Sequence, residues 1–312
     1  MENHPSTRFT TTKIFQRRGK MSTYHILYNR LSRSNTGELE AHMLDEIMNG
    51  EKLKYWNIAD VRDNYDDFFA SIPATDKIIV AGGDGTLHHF INNTDHCYVP
   101  QEVLFFPAGS GNDFARDLGR KKHFEPFYMR KHISNLPAIN IEGKEQRFFN
   151  SASIGIDAQV CLVADKLKAA GKKSVNYAFI ALKLILKKYK FCDAVVTDGD
   201  GNRYEFNDVL LAITNKGRYF GGGVKIAPTQ DRNDPDETLT FIIAHDLPKL
   251  KALIVFASIP LGKHFNFKKH VTVIEGKDFT VEFSQPTPIQ IDGETVVGAS
   301  GYHAYAKHTV EL

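Results

Sequence analysis

Between Tyr24 and about Leu118, short apolar runs alternate with stretches of helical periodicity. "YHILY" (Tyr24–Tyr28) leads through a polar loop into "GELEAHMLDEIM", and "KYWNIA" precedes "YDDFFASI". "KIIVA" precedes "GTLHHFIN", and "VLFF" (Val103–Phe106) precedes "NDFARDL". Runs that are apolar throughout belong to strands buried on both faces, with helices as right-handed crossovers between them. The expectation is an α/β layer on a parallel sheet. After about Leu136 the pattern changes. "AINIEG", "QRFFNSASIGI", "CDAVVTD", "DVLLAIT", "TLTFIIA", "HVTVIEG", "FTVEFS" and "IQIDGE" are strand-like and separated by Gly, Asp and Asn turns. Only two helical stretches interrupt them, around Val160–Tyr189 and Pro248–Ile259. This predicts a second, mostly β domain, sandwich or barrel-like. The expected boundaries are a disordered leader over 1–20, an α/β domain over 21–137 and a β-rich domain over 138–302, with 303–312 returning to the first.

Composition narrows the function classes. The 312 residues are 24% charged and 42% hydrophobic, and the net charge of +2 calls for no nucleic-acid partner. Cys97, Cys161 and Cys192 are widely spaced and form neither a disulfide framework nor a zinc spacing, which favours a reducing cytoplasm. None of the thirteen histidines stands at zinc spacing from a Cys or Glu; His88 and His89 read as packing or surface residues. No apolar run reaches the ~18 residues of a membrane span. The first twenty residues are basic and hydroxyl-rich, without the apolar stretch of a secretory signal.

In a parallel α/β sheet, ligands sit beyond the carboxyl ends of the strands. Three polar loops fall there: "NRLSRSNTG" (Asn29–Gly37), "GGDG" (Gly82–Gly85) and "PAGSGND" (Pro107–Asp113). The second and third each open a helix, whose free N–H groups favour an anion. Gly82, Gly83, Gly85, Gly109 and Gly111 carry no Cβ where backbone would approach a ligand. Asp84 would repel a bare phosphate but suits one bridged by Mg²⁺ or water. The pattern reads as a nucleotide site with a metal. A tight strand-to-helix turn explains either loop alone equally well; two on one sheet edge favour the site. The pattern Gly-x4-Gly-Lys-Ser/Thr is absent.

These motifs resemble the diacylglycerol kinase catalytic-domain family, which includes soluble bacterial lipid kinases and sphingosine kinases. The resemblance runs from about Tyr24 to near the C-terminus. It rests on "GGDGT" (Gly82–Thr86), "PAGSGNDFARDLG" (Pro107–Gly119), "FFNSASIGIDAQV" (Phe149–Val160), "YFGGGVKIAPTQDRNDPDETLTF" (Tyr219–Phe241) and "IQIDGE" (Ile289–Glu294), in that order. GGDGT alone is shared with NAD kinases and phosphofructokinase-like enzymes. The resemblance implies a phosphofructokinase/NAD kinase-like N-terminal α/β domain and a C-terminal β-sandwich, with ATP and lipid meeting between them. It implies nucleotide contacts from Asn29, Gly82, Gly83, Asp84, Gly85, Thr86, Gly109, Ser110, Gly111 and Asn112, with Asp113 and Arg116 in the loop's charge network. It makes Asp292 the general base with Glu294 beside it, although "IDGE" alone reads as a hairpin turn. It makes Asp236 a structural Mg²⁺ ligand in a loop of its own, where backbone carbonyls complete the oxygen shell, with Asp231 and Asp234 nearby; the alternative is a solvated acidic turn.

The sequence departs from the family in three places. Glu237 and Thr240 replace the Gly and Asp that usually follow the metal-loop Asp, Asn140 stands for a common Asp, and Arg30 for a common Pro. The stretch Asp165–Lys190 holds eight lysines and one acid. Val175, Ala178, Phe179, Leu182, Leu186 and Tyr189 fall on one helical face, read here as core-facing, with Lys183, Lys187 and Lys190 on another. Such lysines steer a protein to an anionic bilayer, and "GKHFNFKKH" (Gly262–His270) adds a basic cluster with two outward Phe candidates. The expected protein is an ATP- and Mg²⁺-dependent lipid kinase, cytoplasmic and peripherally membrane-associated, homodimeric by resemblance, with diacylglycerol as leading substrate. The alternatives are a kinase of sphingoid or other lipid alcohols, an NAD kinase-like enzyme, and a non-catalytic lipid- or nucleotide-binding regulator.

Overall fold

The computed structural model describes residues 22–172, 175–187 and 192–307. The expected leader, Tyr189, Lys190 and residues 308–312 lie outside them. The first sheet comprises β1 (Thr23–Tyr28), β2 (Lys52–Asn57), β3 (Lys77–Gly82), β4 (Glu102–Pro107) and the short β5 (Phe127–Tyr128), ordered β2-β1-β3-β4-β5. β1 to β4 are parallel; β5 runs antiparallel to β4. Alternate side chains feed two cores. Leu27, Ile78, Val80 and Phe105 pack with Phe69, Phe90 and Phe114 on one face, and Ile26, Ile79, Ala81 and Phe106 pack with Ala41 and Leu44 on the other. That double burial explains the continuous apolar runs of the sequence. β1 to β4 aim their carboxyl ends at one edge.

From Ala138 onward the chain builds a second, largely antiparallel sheet. Its strands are β6 (Ala138–Ile141), β7 (Lys144–Arg147), β8 (Ser151–Gly155), β9 (Cys192–Asp198), β10 (Arg203–Val209) and β11 (Leu211–Asn215), then β14 (Leu239–Ala244), β15 (Val271–Gly276), β16 (Asp278–Ile291) and β17 (Glu294–Tyr305). β12 (Tyr219–Phe220) and β13 (Val224–Lys225) form a separate ribbon. The 14-residue β16 pairs with β9 near its start and with β8 near its end, so the sheet folds over a core that includes Phe148, Phe241, Phe279 and Ile289. On the other side of β8, β11 and β14 a second core receives the Ile156–Ala169, Tyr177–Lys187 and Lys249–Ser258 helices.

Two expectations change. The stretch read as one helix over Val160–Tyr189 is two, because Gly171 at φ +89° ends the first: its N–H bonds the Lys168 carbonyl and Lys172 N–H bonds that of Leu167. His303–Tyr305, expected in the first domain, instead pair with Asn140–Ala138 on β6. The antiparallel hairpin of β16 and β17 carries them there.

Candidate active site

The Gly-rich loops meet beyond β3 and β4. A Cβ on Gly109 would lie 2.3 Å from the Gly83 Cα, so the two loops touch backbone to backbone, and only glycine permits it. Asn112, in left-handed backbone (φ 53°), folds its amide onto this contact: Oδ1 accepts from Gly109 N and Nδ2 donates to Gly109 O, both at 2.9 Å. It shapes the loop and stays off the cleft wall, as do Gly82 and Arg116, the latter stacked over Tyr219. Asn29, Gly83, Asp84, Gly85, Thr86, Gly109, Ser110, Gly111 and Asp113 do line the cleft.

Asp84 joins the loops. Its Oδ2 accepts from Asp113 N (2.9 Å), and its Oδ1 accepts from Phe114 N (3.1 Å) and Asn150 Nδ2 (3.3 Å). Burial pushes this carboxyl above its ordinary range. Burial and the Asp84 charge push Asp113 up to about 6. Asp113 Oδ2 accepts from Gly222 N (2.8 Å), while its buried Oδ1 has no partner. Two crowded acids with an unmet oxygen fit a hard cation such as Mg²⁺. Asp236 does not join them. Its side chain is 81% exposed, 3.8 Å from Lys277, and off the cleft wall. Its loop spends its carboxylates on itself: Asp231 accepts from Asn233 N, and Asp234 accepts from Asp236 N and Thr238 N.

Across the cleft stands the turn between β16 and β17, with Asp292 (φ 50°) and Gly293 (φ 103°) both left-handed, as a two-residue Asp-Gly hairpin requires. Asp292 Oδ1 accepts from Asn150 N (2.8 Å) and Ser151 N (3.1 Å). Its Oδ2 accepts from Phe149 N (2.9 Å) and faces His88 Nδ1 at 3.3 Å. About four lone-pair positions of a carboxylate are thus filled. Glu294, on the rim, lies 3.5 Å from His89 Nε2; the pairing raises the imidazole and lowers the carboxyl. His88 and His89, read from sequence as packing or surface residues, therefore face the two acids of the turn.

Further residues unforeseen by the motifs tie the domains together. Asp117 accepts from Arg218 Nε (2.6 Å) and Arg232 Nε (2.8 Å), and Arg232 Nη2 donates to Asn150 Oδ1 (2.9 Å), whose amide reaches Asp84. Asn92 bonds both the N–H and the carbonyl of Arg147. Asn140, one of the departures from the family, caps the β6–β7 turn through Gly143 N (3.0 Å) and is off the cleft wall.

Beyond Asp292 the cleft, about 840 Å³ in all, becomes apolar, lined by Ile156, Val160, Leu211, Phe220, Phe256 and Ile259. Asp157 also lines it: Ser153 Oγ donates to it at 2.6 Å, and burial pushes it up to about 6. Tyr177, Ala178 and Pro260 mark the mouth. Here the helix orientation differs from expectation. Ile180, Ala181 and Ile185 of the Tyr177–Lys187 helix are buried, whereas Phe179 (62%), Leu182 and Leu186 are exposed. The helix is apolar on two flanks, and the one with Ile180, Ala181 and Ile185 packs against the Ile156–Ala169 and Lys249–Ser258 helices in the second core. Leu250, Ile254 and Leu261 add exposed apolar surface from the neighbouring helix and turn. Phe265 and Phe267, expected outward, pack against the helix core. No helix among the described residues is long and apolar enough to cross a membrane.

Residues 23–136 match the diacylglycerol kinase catalytic domain model, and residues 150–305 match the YegS C-terminal NAD kinase beta sandwich-like domain model. A Bacillus subtilis protein named "Putative lipid kinase YtlR" is 29% identical over 238 residues, covering 70% of this chain and 74% of its own. A diacylglycerol kinase of Staphylococcus aureus is 26% identical over 291 residues, covering 86% and 85%. The solved structure titled "Crystal structure of a putative diacylglycerol kinase from Bacillus anthracis str. Sterne" superposes with a TM-score of 0.66 at 19% identity, over 95% of this chain and 96% of that one.

Proposed function

We propose, for a chain that belongs to the diacylglycerol kinase catalytic-domain family and is a lipid kinase of that type, that it transfers the γ-phosphate of ATP to the free hydroxyl of diacylglycerol, with Mg²⁺ at the phosphates. One observation carries the reading. A single cleft is lined by the Gly-rich loops, the paired acids, a set of apolar side chains and the Asp292 turn. Phosphoryl transfer needs a positioned hydroxyl, an in-line phosphate and cations on the developing charge. Backbone N–H groups of the Gly83 and Gly109 loops would hold the phosphates. Asp84 and Asp113 would hold Mg²⁺, which when bound offsets phosphate charge.

Asp292 lines the cleft together with the Gly-rich loops and the apolar side chains. Three of its partners are fixed backbone amides; His88 is the one side-chain partner. A hydroxyl proton is therefore accepted at Oδ2, where a shift of His88 frees the lone pair. Glu294 and His89 stand beside it at the rim. The acceptor is reached at an anionic bilayer. Exposed Phe179, Leu182, Leu186, Leu250 and Ile254 enter the interface, and Lys183, Lys187, Lys249 and Lys251 lie around them.

The test is transfer of labelled phosphate from Mg-ATP to a lipid panel in anionic mixed micelles. Labelled phosphatidic acid is the expected product. Labelling of another lipid to the exclusion of diacylglycerol refutes the substrate, and absence of ATP binding refutes the nucleotide site.

A further inference from the structure

Asp66, His96 and Cys97 form a cluster of donor atoms off the cleft wall. Asp66 stands in the first turn of the Tyr65–Ser71 helix, which Asn64 caps by accepting from Asp67 N. His96 and Cys97 follow the Asp84–Thr94 helix in a turn closed by Cys97 N donating to Thr94 O at 3.0 Å. A carboxylate oxygen, an imidazole nitrogen and the thiol sulfur thereby lie within 4.8 Å of one another. Sγ is 3.6 Å from His96 Nε2, and Nε2 is 3.9 Å from Asp66 Oδ2.

Those separations have a natural standard. With zinc–ligand distances of about 2.3 Å to sulfur and about 2.0–2.1 Å to nitrogen and oxygen, tetrahedral angles place sulfur and nitrogen ~3.6 Å apart and nitrogen and oxygen ~3.4 Å apart. The first distance is met as it stands. The second needs about half an ångström, and the third, sulfur to carboxylate, lies within 4.8 Å against ~3.6 Å in a tetrahedral site; side-chain torsions close both for side chains that are 72% (His96) and 64% (Asp66) exposed. A nucleophile relay fits less well. Such a relay uses the two imidazole nitrogens separately, one toward sulfur and one toward the acid. Here sulfur and carboxylate approach the same Nε2, and burial holds the thiol up at about 11. Three donors converging on one point are the arrangement of a chelate.

We propose that Asp66, His96 and Cys97 bind one transition-metal ion of the Zn²⁺ class, with a fourth position open to solvent. Thiolate and imidazole donors select such an ion over Mg²⁺ or Ca²⁺, and binding displaces the thiol proton. The ion staples the Tyr65–Ser71 helix to the end of the Asp84–Thr94 helix, two elements that already meet through the Tyr65 and Phe90 rings, 6.0 Å apart. The opposite end of the second helix carries Asp84. No sequence spacing announces the site, because the fold supplies its acid from thirty-one residues upstream of its thiol.

The experiment titrates the metal-stripped full chain with Co²⁺ under reducing conditions and follows the thiolate-to-cobalt charge-transfer band, then displaces Co²⁺ with Zn²⁺. One equivalent is expected. Cys97→Ser should abolish the band, and Cys192→Ser should leave it unchanged. His96→Ala, at an exposed position that folding does not depend on, should weaken binding ~100-fold or more, since loss of second-shell groups alone costs about 10–100-fold. No band, a band that survives Cys97→Ser, or an affinity unmoved by His96→Ala would each mean adventitious metal only and overturn the proposal.

Discussion

Replacing Asp292 with alanine should cost more than a catalytic group. The substitution removes the acceptor of the Phe149, Asn150 and Ser151 amides at a side chain with 0% exposure. Each buried donor left unmet costs about 1–3 kcal/mol. Water entering from the cleft recovers part of the sum, and placing alanine at φ 50° adds about 1 kcal/mol. The expected loss is about 3–5 kcal/mol, a large share of a typical ~5–15 kcal/mol. Asparagine tolerates the left-handed backbone and keeps an oxygen for Asn150 and Ser151, but sets an NH₂ against Phe149 N–H. Its loss should be about 1–3 kcal/mol. Urea unfolding of the three proteins, with midpoint and slope compared together, reads this order beside the phosphate-transfer assay. An alanine variant within ~0.5 kcal/mol of the parent would refute the hydrogen-bond reasoning and make any lost activity a matter of chemistry alone.

Three further outcomes are expected. Gly109→Ala drives a Cβ to 2.3 Å from the Gly83 Cα, so calorimetry should show ATP binding weakened ~10-fold or more by the parted loops; Gly119→Ala, strained by its φ of +69° but with no atom within 4 Å, should lower stability and leave binding unchanged. Asp157, held at about 6 when folded, loses stability as pH rises from about 4 to about 6, because the unfolded chain ionises first. Asp157→Asn should therefore be more stable than the parent by up to ~3 kcal/mol at about pH 8 and equal near pH 4; a gap that does not change with pH would rule out the titration. Phe179→Asp with Leu186→Asp should reduce sedimentation with anionic vesicles ~10-fold or more while moving stability by no more than ~0.5 kcal/mol; undiminished vesicle binding would mean another face docks.

The two-part fold was legible because its strands carry different burial signatures: Ile78–Ala81 is buried on both faces, whereas Cys192–Asp198 alternates. The Gly-rich loops were legible as a pair, but Asn112 shows the limit. Its type suits a ligand contact, and only the observed left-handed backbone and the bonds to Gly109 show it bound to its own loop. His88 and Asp292 lie 204 residues apart, so no local spacing could pair them. Arg232 was hidden for a related reason. In sequence it belongs to an acidic turn, whereas in the fold its guanidinium is buried against Asp117. The outward flank of the Tyr177–Lys187 helix could not be chosen from periodicity, because both flanks are apolar and tertiary packing decides between them.

The joint between the domains sets how a lipid kinase of this design is supplied. Asp84, Asp113 and Asp117 of the first domain each hold a group of the second, from Asn150 to Gly222 to Arg232. Parting the two halves like jaws would strand buried charges on both sides, at a cost of several kcal/mol. The joint therefore holds the two domains in one arrangement. On the bilayer docking proposed above, turnover is expected to follow the mole fraction of acceptor in the membrane plane rather than its amount per volume, so that diluting the surface with inert lipid should slow the enzyme even when total substrate is constant.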